Sequence, residues 1–306
     1  MTVTVREFFF SGRSAGHRLH KPGVASSNLA AATSARVSKE PSEEYHLWPE
    51  TSCSQLKELR SSSLAFYLRH VARTAPPKSG DALSFGTLLH LWAELTDTVF
   101  WERAIVAPES VCTATGAMGA KGKEWTKTLD PLAIPLSIAD ADKLKPQTRQ
   151  ILRNRAARRL LEEAADREFN IRWQWNGHKV RCRVDGATAS EFYDLKTTRD
   201  ADPLRTFHHS VGEYGYHLQA AMYGSAAVAA GWPEHRMVFI VTSTVFPFTC
   251  ECVRLPEPLM EAGRRQCLAL LDELQQRLEW DCWEPSSYGE VHELKCPKYM
   301  LKGDWK

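Results

Sequence analysis

The sequence predicts an α/β or α+β fold in which a mixed central sheet is flanked by helices. Two observations lead to this prediction. Three strand-like stretches follow one another closely between residues 169 and 197, and segments with helical spacing of apolar residues lie on both sides of them. Two more strand-like stretches and a last amphipathic helix complete the order, which is typical of helices packed on a sheet.

Five segments carry apolar residues at helical spacing and are predicted as helices. The first is interrupted near residues 61–63, and the second presents an apolar stripe that includes Leu88, Leu89 and Trp92. The five segments are 54–73, 84–96, 147–165, 211–230 and 259–280.

The predicted strands begin with a hairpin. Residues 169–175 and 179–185 alternate in polarity, and Asn176-Gly177 between them is a strong signal for a two-residue turn. The remaining predicted strands are 191–197, 237–244 and 248–255.

Composition indicates an ordinary globular protein. The 306 residues are 43% hydrophobic and 25% charged, with a net charge of +2 that favours no particular partner. Residues 1–45 are rich in small and polar residues without periodicity, so we predict a mobile N-terminal extension there. Residues 46–306 are predicted to form one folded domain.

Cysteine usage and hydropathy bear on the compartment. None of the eight cysteines forms a Cys-x-x-Cys pair, so a zinc ribbon is not expected, and we interpret the cysteines as reduced thiols. No apolar run reaches the length of a membrane-spanning helix, and the apolar residues near the N-terminus are too few for a signal peptide. We therefore expect a cytoplasmic protein without membrane attachment.

The strongest candidate site combines Asp185, Asp194 and Lys196. Side chains alternate along a strand, so Asp194 and Lys196 share a face, and the turn after Gly186 can bring Asp185 beside them. Two carboxylates suit a hard cation such as Mg²⁺, and a neighbouring amine suits phosphodiester hydrolysis. The alternative interpretation is a surface hairpin with ordinary charges.

Two predicted helices offer further candidates. His90 lies beside the apolar stripe of its helix, and Glu94, one turn further on, is a candidate to hold the imidazole or to help bind metal. Gln219 and Tyr223 share a helix face and are able to bond a water or a phosphate oxygen. A hydrogen-bonded histidine and a tyrosine packed in the core are the alternatives.

Three basic residues are candidates for contacts with the DNA backbone. Lys121 and Lys123 flank Gly122 in a Gly-containing stretch, and Arg153 belongs to an arginine-rich helix. A solvated helix face explains such arginines about as well.

Six segments of the sequence, taken in chain order, resemble the RecE-type (exonuclease VIII-like) branch of the PD-(D/E)XK nuclease superfamily. The resemblance covers roughly residues 52 to 285, and the ordered set is more specific than any one segment. The matching segments are 54–67, 85–90, 122–125, 184–186, 193–197 and 216–223. The N-terminal 45 residues fall outside the resemblance.

The resemblance implies a PD-(D/E)XK core that binds Mg²⁺, with Mn²⁺ as a substitute. It implies that His90, Asp185 and Asp194 hold the metal and that Lys196, Gln219 and Tyr223 complete the catalytic set. It also implies digestion of linear double-stranded DNA from the 5′ end in phage-type recombination. A homo-oligomeric ring and a single-strand annealing protein as partner are further implications.

Two other functions stay open at this point. One is a PD-(D/E)XK nuclease with an iron–sulfur cluster, of the CRISPR-adaptation or helicase-linked type, although Cys267, Cys282 and Cys296 are widely spaced for such a cluster. The other is a non-catalytic DNA-binding protein on the same fold, which the intact pair of acids and lysine argues against.

Overall fold

A computed structural model of the protein describes residues 35–76, 85–232, 235–284, 289–291 and 293. Within these ranges, seven strands form one mixed sheet in the order β1-β5-β6-β7-β8-β9, with β2 paired to β6 off this path. The strands of this sheet are β1 (Arg36–Ser38), β2 (Thr51–Ser52), β5 (Asp166–Trp175), β6 (His178–Ala187), β7 (Glu191–Thr198), β8 (Arg236–Ser243) and β9 (Cys250–Val253). A separate two-stranded sheet pairs β3 (Ala104–Val106) with β4 (Ile134–Leu136).

Helices cover both faces of the large sheet, so the predicted fold class is confirmed. The helices are α1 (Ser42–Leu47), α2 (Cys53–Ser61), α3 (Ser63–Phe66), α4 (Phe85–Leu95), α5 (Asp97–Arg103), α6 (Ala120–Thr126), α7 (Ile138–Arg153), α8 (Arg155–Glu162), α9 (Pro203–Glu213), α10 (Tyr216–Ala229) and α11 (Glu257–Trp280). A π-helical turn continues α3 over Tyr67–Val71, and a short 3₁₀ helix covers Glu109–Val111.

Two buried apolar clusters lie on the two faces of the sheet. The first unites α2, α10 and α11 with strand residues such as Val184 and Phe192. The second unites α4, α7 and α8 with strand residues such as Tyr193 and Leu195. Because successive strand residues alternate between faces, β7 contributes to both clusters along its length. Strand β7 is therefore central to the molecule.

The hairpin is the element whose structure follows most directly from the sequence. Strands β5 and β6 pair from Trp175–His178 to Asp166–Ala187, and Asn176 and Gly177 both have positive φ, at 50° and 87°. This backbone is the one that a two-residue hairpin turn requires. The turn thereby fixes which residue of β5 lies opposite each residue of β6.

Folded structure begins earlier in the chain than we expected. Strand β1 pairs antiparallel with β5, and the carbonyl oxygen of Glu40 accepts hydrogen bonds from Asn170 Nδ2 (2.9 Å) and Arg183 Nη1 (3.1 Å). Tyr45 is buried in α1. Residues 36–45 thus differ from the predicted extension, because their backbone completes the sheet edge. Residues 1–34 lie outside the described ranges, and for them the extension stays a prediction.

The helical region predicted over 147–165 differs in its limits. Helix α7 begins at Ile138 and contains Pro146, and a second helix, α8, starts at Arg155. Asn154 separates them, because its side-chain oxygen accepts hydrogen bonds from the N–H groups of Ala156 (3.0 Å) and Ala157 (3.1 Å). Such capping starts a new helix.

None of the helices in the described ranges is long and apolar enough to cross a bilayer.

Candidate active site

The site forms where β6 and β7 separate. The two strands pair only at Gly186–Tyr193 and Ala187–Phe192, whereas β7 stays paired with β8 from Glu191 to Thr198. Asp185 and Asp194 are the next residues on each strand beyond the last pair. Their carboxylates therefore lie at the opening between two diverging strands, where the backbone groups of the strand edges no longer pair with one another.

Asp185 occupies this opening with its side chain. Its Oδ2 accepts a hydrogen bond from the backbone N–H of Leu195 at 2.8 Å and lies 3.1 Å from Nδ1 of His90. The carboxylate thus accepts a hydrogen bond from the backbone N–H that directly follows Asp194 in β7. Because His90 belongs to α4, the contacts of the Asp185 side chain connect β6 with both β7 and α4.

The charges of this pair shift both pKa values. The negative charge of Asp185 raises the pKa of His90 to about 9, against the opposing effect of burial. Burial by itself raises the pKa of Asp185, but the charge of His90 and the hydrogen bonds to the carboxylate lower it overall. In the absence of a cation, the pair is therefore an imidazolium beside a carboxylate at neutral pH.

Glu168 is a third member of the site that the sequence analysis missed. It lies on β5 opposite Asp185, and ligand atoms of His90, Glu168 and Asp185 all lie within 4.8 Å of one another. Its carboxylate accepts a hydrogen bond from Arg183 Nε at 2.7 Å. Glu168 has a φ of 49°, a conformation that costs a non-glycine residue about 1–3 kcal/mol and that concentrates at functional sites.

A signal for Glu168 was present in the sequence. With the turn at Asn176-Gly177, each pair of residues across the hairpin is fixed, and residue 168 falls opposite Asp185. The predicted strand began at residue 169, one residue too late to include it. Burial, followed by the charge of Asp185, raises the pKa of Glu168 to about 7, as expected for two crowded carboxylates.

Asp194 and Lys196 lie together on the face of β7 that meets α10. The Lys196 ammonium forms an ion pair with Asp194, and Gln219 donates its amide N–H to the other oxygen of that carboxylate. Burial raises the pKa of Asp194, and the two aspartates raise the pKa of Lys196 against the effect of burial. The sequence analysis expected Asp194 to hold the metal; here its carboxylate contacts Lys196 and Gln219, and the group formed by His90, Glu168 and Asp185 does not include it.

Helix α10 supports both strands at the opening. Gln219 contacts Asp194 of β7, and the Tyr223 hydroxyl, one turn further on, donates a hydrogen bond to the carbonyl oxygen of Arg183 in β6. Gln219 and Tyr223 are both buried. Their spacing of four residues places them on one face of the helix, as the sequence analysis expected.

A cavity of about 610 Å³ opens onto this cluster. The side chains of His90, Glu168, Asp185, Lys196, Gln219 and Tyr223 all line it. Further walls come from the segment 42–57 and from Gly86 and Thr87 at the start of α4. The cavity is partly open to solvent, and charged side chains share its lining with apolar surface.

Four of the predicted residues lie elsewhere. Glu94 is exposed on α4 and does not line the cavity, and the partner of the His90 imidazole is Asp185 instead. Lys121, Lys123 and Arg153 are also exposed and lie outside the lining of the cavity. Their contacts with DNA stay predictions.

The donor groups fit a divalent cation. Two carboxylates lie beside an imidazole in a half-buried position. Burial and then the charge of Asp185 raise the pKa of Glu168, and a bound cation would offset both effects. Oxygen donors with one nitrogen suit Mg²⁺ or Mn²⁺. Within the part of the chain that the structure describes, this is the one such group of His, Cys, Asp and Glu side chains, and it contains no cysteine.

Comparison with known proteins agrees with this geometry. No curated protein matches the chain. A crystal structure of a "putative exonuclease" from Eubacterium rectale matches its fold with a TM-score of 0.56 at 11% identity, over 87% of this chain and 99% of the other. The family described as "PDDEXK-like domain of unknown function" (DUF3799) matches residues 52–294. The chain thus belongs to this PDDEXK-like family and has the fold of the PD-(D/E)XK nucleases.

Proposed function

We propose that the protein is a divalent-metal-dependent nuclease that hydrolyses phosphodiester bonds of linear double-stranded DNA. The observation that carries the proposal is the convergence of His90, Glu168 and Asp185 within 4.8 Å, beside the ion pair of Asp194 and Lys196. Phosphoryl transfer needs little covalent chemistry from a protein, and it does need a cation, positioned donors and a fixed substrate.

The side chains divide into two groups by role. Mg²⁺ or Mn²⁺ held by His90, Glu168 and Asp185 would supply Lewis-acid stabilisation of the charge that develops on the phosphate. Lys196 presents an ammonium at the edge of the same cavity and donates to a phosphate oxygen or to the attacking water. Asp194 and Gln219 act through Lys196, because the carboxylate orients the ammonium and the amide orients the carboxylate.

We further propose that the enzyme works from DNA ends, in the 5′ to 3′ direction, as an exonuclease of phage-type recombination. The resemblance of the ordered motifs to RecE-type enzymes supports this finer assignment, and on the same ground we propose a homo-oligomeric ring and a single-strand annealing protein as partner. The crystal structure with a related fold carries the description of an exonuclease, which agrees with action at ends.

The test uses one duplex in linear and in covalently closed circular form. With Mg²⁺ or Mn²⁺, the linear form is expected to disappear and the closed circle to persist, and EDTA is expected to stop the reaction. A label on each terminus in turn gives the direction, with early release of a 5′ label expected. Cleavage of closed circles at the same rate would show that the protein is an endonuclease and not an exonuclease. Binding of DNA without cleavage would show that it is a non-catalytic DNA-binding protein.

A further inference from the structure

Helix α2 borders the active-site cavity, and the strand before it pairs with β6. Strand β5 occupies one edge of β6 over its whole length, so both β7 and β2 pair with the other edge. Strand β2 pairs there at Thr51–Val180 and Ser52–Arg181, and α2 follows without a loop. A capping box between Ser52 and Gln55 fixes the start of the helix. The first turns of α2 therefore have a defined position beside the site.

Lys57, in the second turn of α2, directs its ammonium into the cavity. Its Nζ lies 3.5 Å from Oε1 of Gln219 and 5.3 Å from the centre of the Tyr216 ring. The ammonium of Lys196 lies 5.2 Å from the centre of the same ring. Gln219 thus stands between Lys57 and Asp194, since its amide group accepts from the lysine and donates to the aspartate.

The two lysines differ in their partners. Lys196 is paired with Asp194, whereas no carboxylate among the described residues forms an ion pair with Lys57. Its acceptors are a neutral amide oxygen and an aromatic ring, although the side chain is half-buried. Burial and the charge of Lys196 lower the pKa of Lys57. A half-buried ammonium without an anionic partner is costly, and an anion in the cavity removes that cost.

Lys57 also lies where two cavities meet. A second cavity of about 710 Å³ adjoins the first, and both are lined by His46, Ser52, Ser54 and Lys57. Basic side chains, among them Arg60 and Arg181, line the second cavity, together with Tyr214. A strand that leaves the metal site in this direction passes Lys57 first.

We propose that Lys57 is a phosphate-binding residue of the active site, which contacts one phosphate of the DNA strand where the two cavities meet. This inference rests on the proposed nuclease function and adds to the active site a second ammonium group besides that of Lys196. Lys196 acts at the metal site, whereas Lys57 holds the strand in register with that site. The contact is charge-assisted, and each phosphate neutralised in this way adds to the salt dependence of binding.

The first experiment compares Lys57→Met, Lys57→Arg and, as a matched control, Lys179→Met at an exposed lysine of β6 near the hairpin turn. For Lys57→Met we expect kcat/KM on linear duplex to fall about 10- to 100-fold. The slope of log affinity against log salt concentration should become shallower by about 0.9. Lys57→Arg should restore most of both quantities, and Lys179→Met should leave both unchanged.

The readouts separate a phosphate contact from a structural role. The Mn²⁺ affinity of Lys57→Met should equal that of the wild type, and its melting temperature should be no lower, because the variant removes a half-buried charge without an anionic partner. Lys57→Gln replaces it if the Met variant does not fold. A rate loss with an unchanged salt slope, or with a parallel loss of Mn²⁺ affinity, would overturn the inference. So would wild-type behaviour of Lys57→Met. A wild-type protein that neither cleaves nor binds DNA would refute the proposed function itself.

Substrates with one uncharged methylphosphonate linkage identify the phosphate. The linkage is moved stepwise along the strand near the end. At one position it should slow the wild type and leave Lys57→Met unaffected, because the variant has already lost that contact. If wild type and variant respond alike at every position, Lys57 does not bind a phosphate.

Discussion

The carboxylate of Asp185 accepts a hydrogen bond from the backbone N–H of Leu195 at 2.8 Å. This bond lies where the β6–β7 ladder ends, and it holds one acid of the site against the strand that carries the other acid and the lysine. Without it, the N–H of Leu195 would lack a partner and the buried carboxylate would keep only His90, which is costly in a protein interior. A side chain of the site thus continues the hydrogen bonding of the sheet where the backbone ladder between β6 and β7 ends.

Replacement of Lys196 separates catalysis from metal binding. We expect Lys196→Ala to lower the cleavage rate at least about 100-fold, because it removes a donor to the reacting phosphate or water. Affinity for Mg²⁺ should change little, since an ammonium does not ligate a cation. Calorimetry and single-turnover cleavage measure the two quantities, and a lost metal affinity would contradict the role given to the lysine.

Replacement of Glu168 tests the residue that the sequence analysis missed. Glu168→Gln keeps the shape of the side chain and removes one of the charges that face the cation. We expect a loss of at least about 10-fold in Mn²⁺ affinity and a corresponding loss of cleavage at limiting metal. Glu94→Gln is the matched control, because Glu94 is exposed on α4 outside the cavity. Equal metal affinities of the two variants would place the cation elsewhere.

Metal affinity should rise with pH. The pKa of His90 is about 9 without metal, so an imidazole ligand must lose a proton when the cation binds below that pH. The pKa of Glu168 is about 7, so a second proton is displaced in more acidic solution. Between pH 7 and 9 the apparent Kd should fall about tenfold per pH unit, and below pH 7 more steeply.

The proton count gives an independent check on this pH dependence. Calorimetry in buffers of different ionisation enthalpy should show about one proton released at pH 8 and more than one at pH 6. In Glu168→Gln the extra release at pH 6 should disappear. An apparent Kd that is constant from pH 6 to 9 would show that cation binding removes no proton from His90 or Glu168.

Two glycines in helices should respond to alanine in opposite directions. Helices α10 and α11 touch at Gly263, where an added Cβ would collide with the carbonyl oxygen of His217. We expect Gly263→Ala to lower the free energy of unfolding by about 1–3 kcal/mol. At Gly212 in α9 nothing lies within 4 Å of an added Cβ, so Gly212→Ala should raise it by up to about 1 kcal/mol. Urea unfolding measures both, and equal effects would contradict the close packing of α10 on α11.

Sequence reasoning succeeded where short-range rules decide the structure. The Asn176-Gly177 turn and the alternation around it specify the β5–β6 hairpin, and the apolar stripe specifies α4 with His90 beside it. It also selected five side chains that line one cavity, those of His90, Asp185, Lys196, Gln219 and Tyr223. These are local patterns, or an order of motifs that resembles a family.

The rest depended on tertiary contacts. Asn154 divides a helical region because its amide also reaches the carbonyl oxygen of Cys250 at 2.8 Å, a contact that spacing along the chain does not reveal. Residues 36–45 carry no apolar pattern, and β5 and Arg183 order them. Lys57 was part of the matching segment 54–67, but no sequence pattern indicated its position beside Gln219, because that position follows from the separation of β6 and β7. Glu168 was within reach of sequence reasoning, through the register of the hairpin.

The central claim is that His90, Glu168 and Asp185 hold the cation for DNA hydrolysis. The most direct measurement is Mn²⁺-dependent loss of linear duplex DNA by the wild type and by Asp185→Asn, with Mn²⁺ binding measured on the same preparations. We predict rapid loss with the wild type, and loss of both cleavage and high-affinity Mn²⁺ binding in the variant. Cleavage and Mn²⁺ binding that survive unchanged in Asp185→Asn would contradict the account.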